Sequence, residues 1–213
     1  MAISADTRAA LARLGAATLG ESGAGAMGAA LRPVWVGAAI VGEALPVRCS
    51  PGDNLAIHVA VASAAPGQVL VVQIEGVPEL GYWGEVLTTA AEARGVVGLV
   101  IEGGVRDVAA LEAHRFPVFS TMIALRGAVK VAAGSVGVPV DVGGVTVALG
   151  DVVVADVDGV VVVPGDRVDE VVEAGRARGA REAEMFEQLR SGATTVELLG
   201  LDPTPITTPD EPA

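Results

Sequence analysis

The 213-residue chain has one cysteine, Cys49, so no internal disulfide is available, and a reducing compartment is expected. Lysine is equally scarce, with Lys130 alone. Fourteen basic residues stand against 26 acidic ones, for a net charge of −12. A surface of that sign repels phosphate backbones, which argues against a nucleic-acid partner. Aromatic residues make up only 3%, so stacking surfaces are few. The longest apolar run, Val152 to Val163, is interrupted by Asp156 and Asp158 and is unsuited to crossing a bilayer. The first residues, MAISADTRAALARLGAA, have neither a basic leader nor a long apolar core, so the expectation is a soluble, cytoplasmic protein. Walker A, G-x-S-x-G and HExxH motifs are missing, as are paired Cys or His ligands. Gly23-Ala24-Gly25-Ala26-Met27-Gly28 matches GxGxxG in form, but no strand leads into it, and dinucleotide binding is not supported.

What remains is Val, Ala, Leu and Ile, in a chain that is 51% hydrophobic and has 28 glycines. Valine favours strands and alanine favours helices, which points to a single α/β domain over residues 1–200, with a proline-rich tail over 201–213. Residues 4–20 read as a helix capped by Ser4 or Asp6, and Glu21 to Gly28 as loop. Val34–Val41 and Ala44–Cys49 read as two strands parted by a turn at Gly42. A helix LAIHVAVASAA starts at Asp53 or Asn54. His58 within it reads as a packed core residue, and Val69–Ile74 as a buried strand. Residues 138–164 alternate valine runs with Gly-Asp turns, as a β meander does. From Asp166 to Gly192 the pattern is helical again. Lys130 raises the idea of a Schiff base, but nothing nearby in sequence would desolvate it, and the plainer reading is a surface charge.

The chemistry concentrates in Gly81 to Asp107, GYWGEVLTTAAEARGVVGLVIEGGVRD. It reads as a helix closed by Gly95, a buried strand over Val96–Ile101, and a turn at Gly103-Gly104 that delivers Arg106 and Asp107. Gly84, Glu85, Val86 and Leu87 fall at the helix start, where free backbone N–H groups and the dipole favour an anion. Arg106 can clamp the same anion, and Asp107 and Glu85 offer hard oxygen ligands to a divalent cation. The structural alternative is that Glu85 merely complements the dipole, while Asp107 caps the next helix, Val108 to His114.

This stretch, with Phe116-Pro117-Val118-Phe119, Pro66 to Val72, Gly143-Gly144-Val145, Gly150-Asp151 and Asp158 to Pro164, resembles the class II 4-hydroxy-4-methyl-2-oxoglutarate aldolases. The same family holds the RraA-like regulators of ribonuclease E activity. The resemblance spans about residues 35 to 192. It implies a compact β/β/α swivelling-type domain, assembled as a trimer or a pair of trimers with the site between subunits. It implies cleavage of 4-hydroxy-4-methyl-2-oxoglutarate or 4-carboxy-4-hydroxy-2-oxoadipate to pyruvate plus a keto acid, with oxaloacetate decarboxylation as a side activity. In that frame Asp107 holds Mg2+ or Mn2+, Glu85 acts through bound water, and Arg106 stabilises the keto oxygen and enolate. The amides of Val86 and Leu87 bind the substrate carboxylate, and Glu182 of a neighbouring subunit completes the metal environment. Val86 stands where leucine is common, Glu85 where some relatives have aspartate, and Gln73-Ile74-Glu75-Gly76 lacks the usual Asp after its strand. The rival within the same resemblance is a non-enzymatic regulator, a branch that typically lacks the acid after the arginine.

Overall fold

The computed structural model describes residues 3–206. It falls into two compact units, one ending at Gly175 and the other starting at Arg176. In the first unit, α1 (Ala5–Gly20) is capped by Ser4, whose hydroxyl accepts the Thr7 N–H. It is not one straight helix. Gly15 (φ 74°) kinks it, and the Ala16 N–H freed there is taken by the Asp156 carboxylate at 2.8 Å. Two short strands follow, β1 (Gly25–Ala26) and β2 (Arg32–Pro33). Thus the glycine-rich segment expected to be loop carries an edge strand, and no helix opens after it, as a dinucleotide site would require.

Next come β3 (Ile40–Cys49), α2 (Leu55–Ser63), β4 (Gln68–Ile74), β5 (Gly81–Trp83), α3 (Glu85–Ala93) and β6 (Gly98–Val105). These are followed by α4 (Val108–Ala113), β7 (Val118–Ile123) and β8 (Gly134–Val136). Strands β3, β4, β6 and β7 lie side by side and parallel, each connection from β3 to β7 crossing through a helix. On the far side of β3 the sheet turns antiparallel through β11 (Val152–Asp156), β12 (Gly159–Val163) and β1; β2 closes the other edge against β7. Residues 138–164 are therefore not one meander. β9 (Val140–Val142) and β10 (Val145–Val147) form their own hairpin, turned by Gly143 and Gly144 at φ 58° and 79°, while β11 and β12 join the main sheet.

Two glycine sites expected to be turns are strand interiors. A Cβ on Gly42 would sit 2.7 Å from the Gly67 carbonyl oxygen and from Val69 Cγ2, so β3 runs straight through the one residue that fits. A Cβ on Gly104 would come within 2.5 Å of the Leu80 carbonyl oxygen, and one on Gly103 within 2.8 Å of Ile74. Both belong to β6, and Arg106 and Asp107 still emerge at its carboxyl end. Close approach, not reversal, is what these glycines provide.

The valine runs are explained by burial on both faces. Val152, Val154, Val161 and Val163 pack with Leu11 and Leu19 of α1 and with Val168, Val171 and Val172. The intervening Val153, Ala155, Val160 and Val162 join the larger core of α2, α3 and the parallel strands. α5 (Val168–Arg190) carries the chain from the first unit into the second, which also holds α6 (Thr195–Leu199) with its Thr194–Glu197 capping box. Tail residues 201–206 are exposed, and the rest of the proline-rich segment lies outside the described residues. Among the described residues no helix is long and apolar enough to cross a membrane.

Candidate active site

A cleft of about 200 Å3 opens beyond the carboxyl ends of the parallel strands, where open α/β sheets place their ligands. One wall is the predicted stretch. Gly84 is the N-cap of α3, and the N–H groups of Val86 and Leu87 in the first turn face no helical acceptor. The Glu85 N–H is taken at 3.1 Å by Asp107 Oδ2, and Arg106 Nε stands 3.7 Å from the same oxygen. The Arg106 N–H is fixed to the Trp83 carbonyl at 2.9 Å. Below it, Trp83 is buried, donates from Nε1 to the Thr88 hydroxyl at 2.8 Å, and stacks on Phe116. The wall is thus held by covered side chains while its guanidinium and carboxylate stay half exposed.

Asp107 occupies the N-cap position of α4, yet its side chain accepts nothing from that helix. Its backbone is left-handed (φ 58°, ψ 36°), a conformation that costs an aspartate little and turns the carboxylate across to α3. The simple reading of Asp107 as the cap of its own helix fails on this geometry. Gly84 makes the arrangement possible, since a Cβ there would lie 2.4 Å from Asp107 Oδ2.

Glu85 does not line the cleft. Its carboxylate pairs at 3.7 Å with His114 at the end of α4, and His114 Nδ1 meets Glu92 at 2.8 Å. The hydrogen bond to Glu92, with both acidic charges close by, raises the His114 pKa above the ordinary histidine value. Glu182 lies in the second unit and pairs with Arg178 one turn earlier at 2.7 Å. Among the described residues no three His, Cys, Asp or Glu side chains converge as a metal cage. Of the two expected ligands in the first unit, Asp107 lines the cleft and Glu85 does not.

The opposite wall carries no site motif in the sequence. Asn54, His58, Gly127 and Lys130 line it. Asp53 is the fastening: almost fully buried, it accepts the N–H groups of Leu55 at 2.7 Å, of Ala132 at 2.8 Å and of Val131. Burial works to raise its pKa, but those three N–H bonds and the Lys130 charge outweigh it and hold the carboxyl below its usual value. Asn54 and Val129 are joined by a backbone hydrogen bond across the same junction. The segment 129–132 fastened in this way seats Lys130, exposed, at the rim, so it is a cleft cation as well as a surface charge. Burial, reinforced by Lys130 and opposed by Asp53, lowers the His58 pKa. No local motif marks these residues; a buried Asp-Asn pair opening an apolar helix is the one signal available.

The profile of the RraA-like family (Aldolase/RraA) matches residues 16–162. A Halalkalibacterium halodurans protein with the provisional name 4-hydroxy-4-methyl-2-oxoglutarate aldolase is 33% identical over 141 residues, 66% of this chain and 67% of that one. Among solved structures, an uncharacterized protein from Pseudomonas syringae superposes with a TM-score of 0.81 at 28% identity, over 91% of this chain and 92% of that chain. Streptomyces coelicolor RraAS2, described as an unusual member of the RNase ES inhibitor RraA protein family, gives 0.73 at 25% identity, over 91% and 99%. With its mixed α/β sheet and its central cleft, the chain belongs to the RraA-like family.

Proposed function

We propose that the protein is a divalent-metal-dependent carbon–carbon lyase. It would cleave 4-hydroxy-4-methyl-2-oxoglutarate, or a related 4-hydroxy-2-keto diacid, to pyruvate and a second keto acid, with oxaloacetate decarboxylation at the same site. The observation that carries this reading is the convergence of free helix-start N–H groups, the Arg106 guanidinium and the Asp107 carboxylate in one cleft. The provisional name of the H. halodurans relative agrees with it.

The residues fit a hard cation. Asp107 presents a carboxylate in a cradle that any side chain at position 84 would fill, and Mg2+ or Mn2+ commonly takes one or two carboxylates and completes its shell with water and substrate. Asp107 would hold it, Glu85 would join through water after leaving His114, and Glu182 would come from a neighbouring subunit of a trimer or hexamer. Bound there, the cation supplies Lewis acidity toward the keto acid. The chain does the rest. The amides of Val86 and Leu87 bind the C1 carboxylate, using the dipole of α3. Arg106 donates to the C2 oxygen, where negative charge grows as the C3–C4 bond breaks and its electron pair moves into the enolate. The proton of the C4 hydroxyl passes to a water that Glu85 would orient as that carbon becomes a carbonyl, and a proton returned from that water to C3 yields pyruvate. Lys130 adds a second positive charge for the distal carboxylate, against the net −12 of the chain.

A non-enzymatic regulator is the second reading, favoured by the likeness to RraAS2. The Gly84–Asp107 cradle supports the enzyme, because binding a protein partner gives no reason to hold an exposed carboxylate against a helix start. The test is pyruvate release from oxaloacetate and from 4-hydroxy-4-methyl-2-oxoglutarate, with Mg2+ and with excess EDTA. Metal-dependent release is expected from both; no release with any divalent metal transfers the case to the regulator.

A further inference from the structure

Two polar atoms on the α2 wall are buried without a hydrogen-bond partner in the protein: Asn54 Oδ1 and His58 Nε2. Both residues line the cleft, and Asn54 is only 5% exposed. The orientation of the Asn54 amide is dictated by its other end. Its Nδ2 donates to the Tyr82 carbonyl at 2.8 Å, and a carbonyl oxygen accepts but never donates, so nitrogen must face Tyr82 and oxygen the other way, in a residue that lines the cleft. The backbone of Asn54 is also tied, N–H to the Val129 carbonyl at 2.9 Å, so the side chain has little freedom to find a donor elsewhere. A buried acceptor left unpaired costs about as much as a lost hydrogen bond, and such atoms persist where a ligand completes them. His58 lies four residues on, which on a helix is the neighbouring position of the same face.

We propose that Asn54 Oδ1 and His58 Nε2 form a hydroxyl-recognition subsite, which selects substrates bearing an alcohol on the carbon next to the distal carboxylate. The proposal rests on the 4-hydroxy-keto-acid reading, and adds to it the two residues that would tell such a substrate from a keto acid without the alcohol. The chemistry follows from what each group accepts. Asn54 Oδ1 requires a donor, which excludes a ketone, a carboxylate or a methyl group from that spot. An alcohol is both donor and acceptor: it donates to Asn54 Oδ1 and accepts from the Nε2–H tautomer of His58. Oxaloacetate, with no alcohol, leaves both atoms unpaired. An aldol substrate would then outcompete a decarboxylation substrate in a cleft whose carboxylate and keto contacts treat them alike.

The test is calorimetric titration of the full chain, with Mg2+ present, using citramalate and 2-methylsuccinate. Both are uncleavable diacids and differ by the hydroxyl alone; pyruvate serves as control, and pyruvate release from 4-hydroxy-4-methyl-2-oxoglutarate is measured in parallel. Wild type should prefer citramalate by about 10-fold. Asn54→Ala should erase the preference and leave pyruvate binding unchanged. Asn54→Asp keeps an acceptor oxygen while losing the bond to Tyr82, and should keep the preference even as affinity for both dianions falls. His58→Leu reaches the same subsite without touching Asn54 and should reduce it. No preference in wild type, a preference that survives Asn54→Ala, or an equal loss for all three ligands overturns the subsite. Pyruvate release without a hydroxyl preference leaves the aldolase reading standing and the subsite refuted. An Asn54-dependent preference without release does the reverse, and binding of none of the ligands refutes both.

Discussion

The two walls of the cleft are built by opposite means. The wall from Gly81 to Asp107 is built from contiguous backbone, and its groups are charged, half exposed and turned outward by a left-handed aspartate beside a glycine. The wall of Asn54, His58 and Lys130 is assembled from two segments over seventy residues apart, bound by one buried carboxylate, and presents mainly neutral polar atoms. Charge near the first wall suits the binding of an anion and the accumulation of negative charge during a reaction. Neutral, unpaired atoms on the second suit discrimination between similar ligands. The lesson is that reactivity and selectivity would be separable in such a cleft, so that each wall could be damaged alone.

The strongest way to break that division is Asp107→Ala. Pyruvate release should fall about 1,000-fold or more, as for loss of a metal-holding group, while the protein stays folded with stability lowered by about 1–2 kcal/mol, from the lost Glu85 N–H bond and an alanine held left-handed. Gly84→Ala should lower turnover about 100-fold, since the added Cβ would displace Asp107 by an ångström or more while every charged group survives. A Gly84→Ala variant with wild-type kinetics would show that the position of that carboxylate does not matter.

The second wall should respond in stability first. Asp53→Asn keeps shape but cannot satisfy three N–H donors, at a cost of about 2 kcal/mol in urea unfolding at pH 7. Because the folded pKa of Asp53 lies below its ordinary value, its contribution is complete above that ordinary value and is lost as pH falls through the folded one. The Asp53→Asn variant should therefore lose less stability than wild type on going from pH 5 to pH 2.

The smallest effect is the sharpest spectroscopically. The chain has two histidines: His58 lines the second wall, and His114 pairs with Glu85 outside the cleft. His114, hydrogen-bonded to Glu92, should titrate by NMR above the ordinary histidine value, and His58, buried beside Lys130, below it. At a pH between the two, His114 is charged and His58 neutral. Coincident titrations would remove the electrostatic difference drawn here.

How much of this is legible in the sequence depends on distance along the chain. The helix start at Glu85, the strand into Arg106 and the clustering of Gly84, Val86, Leu87, Arg106 and Asp107 all lie within 27 residues, so local periodicity is enough. The direction of the Asp107 side chain is not legible, because a capping residue and a residue in left-handed conformation share the same composition. Glu85 reads as a cleft acid, but His114 claims its carboxylate from a helix that sequence spacing does not bring alongside. Gly42, Gly103 and Gly104 read as turns, since a glycine that admits a neighbouring backbone looks identical in sequence to one that reverses the chain. Lys130 and His58 read as a surface charge and a core residue because what surrounds them arrives through Asp53, 77 residues before Lys130 in the chain. Long-range satisfaction of one buried acid is not written in any window.

Strand β3 gives the selective wall its mechanical character. Its first residues bond antiparallel to β11, its last ones to β8, and β4 runs beside it from Glu43 to Cys49. Asn54 follows only five residues after that strand ends. The amide that would judge the substrate is mounted on a short bracket from the splice between the parallel and antiparallel halves of the sheet. A group fixed so near the frame would decline a poor ligand sooner than reshape itself around one.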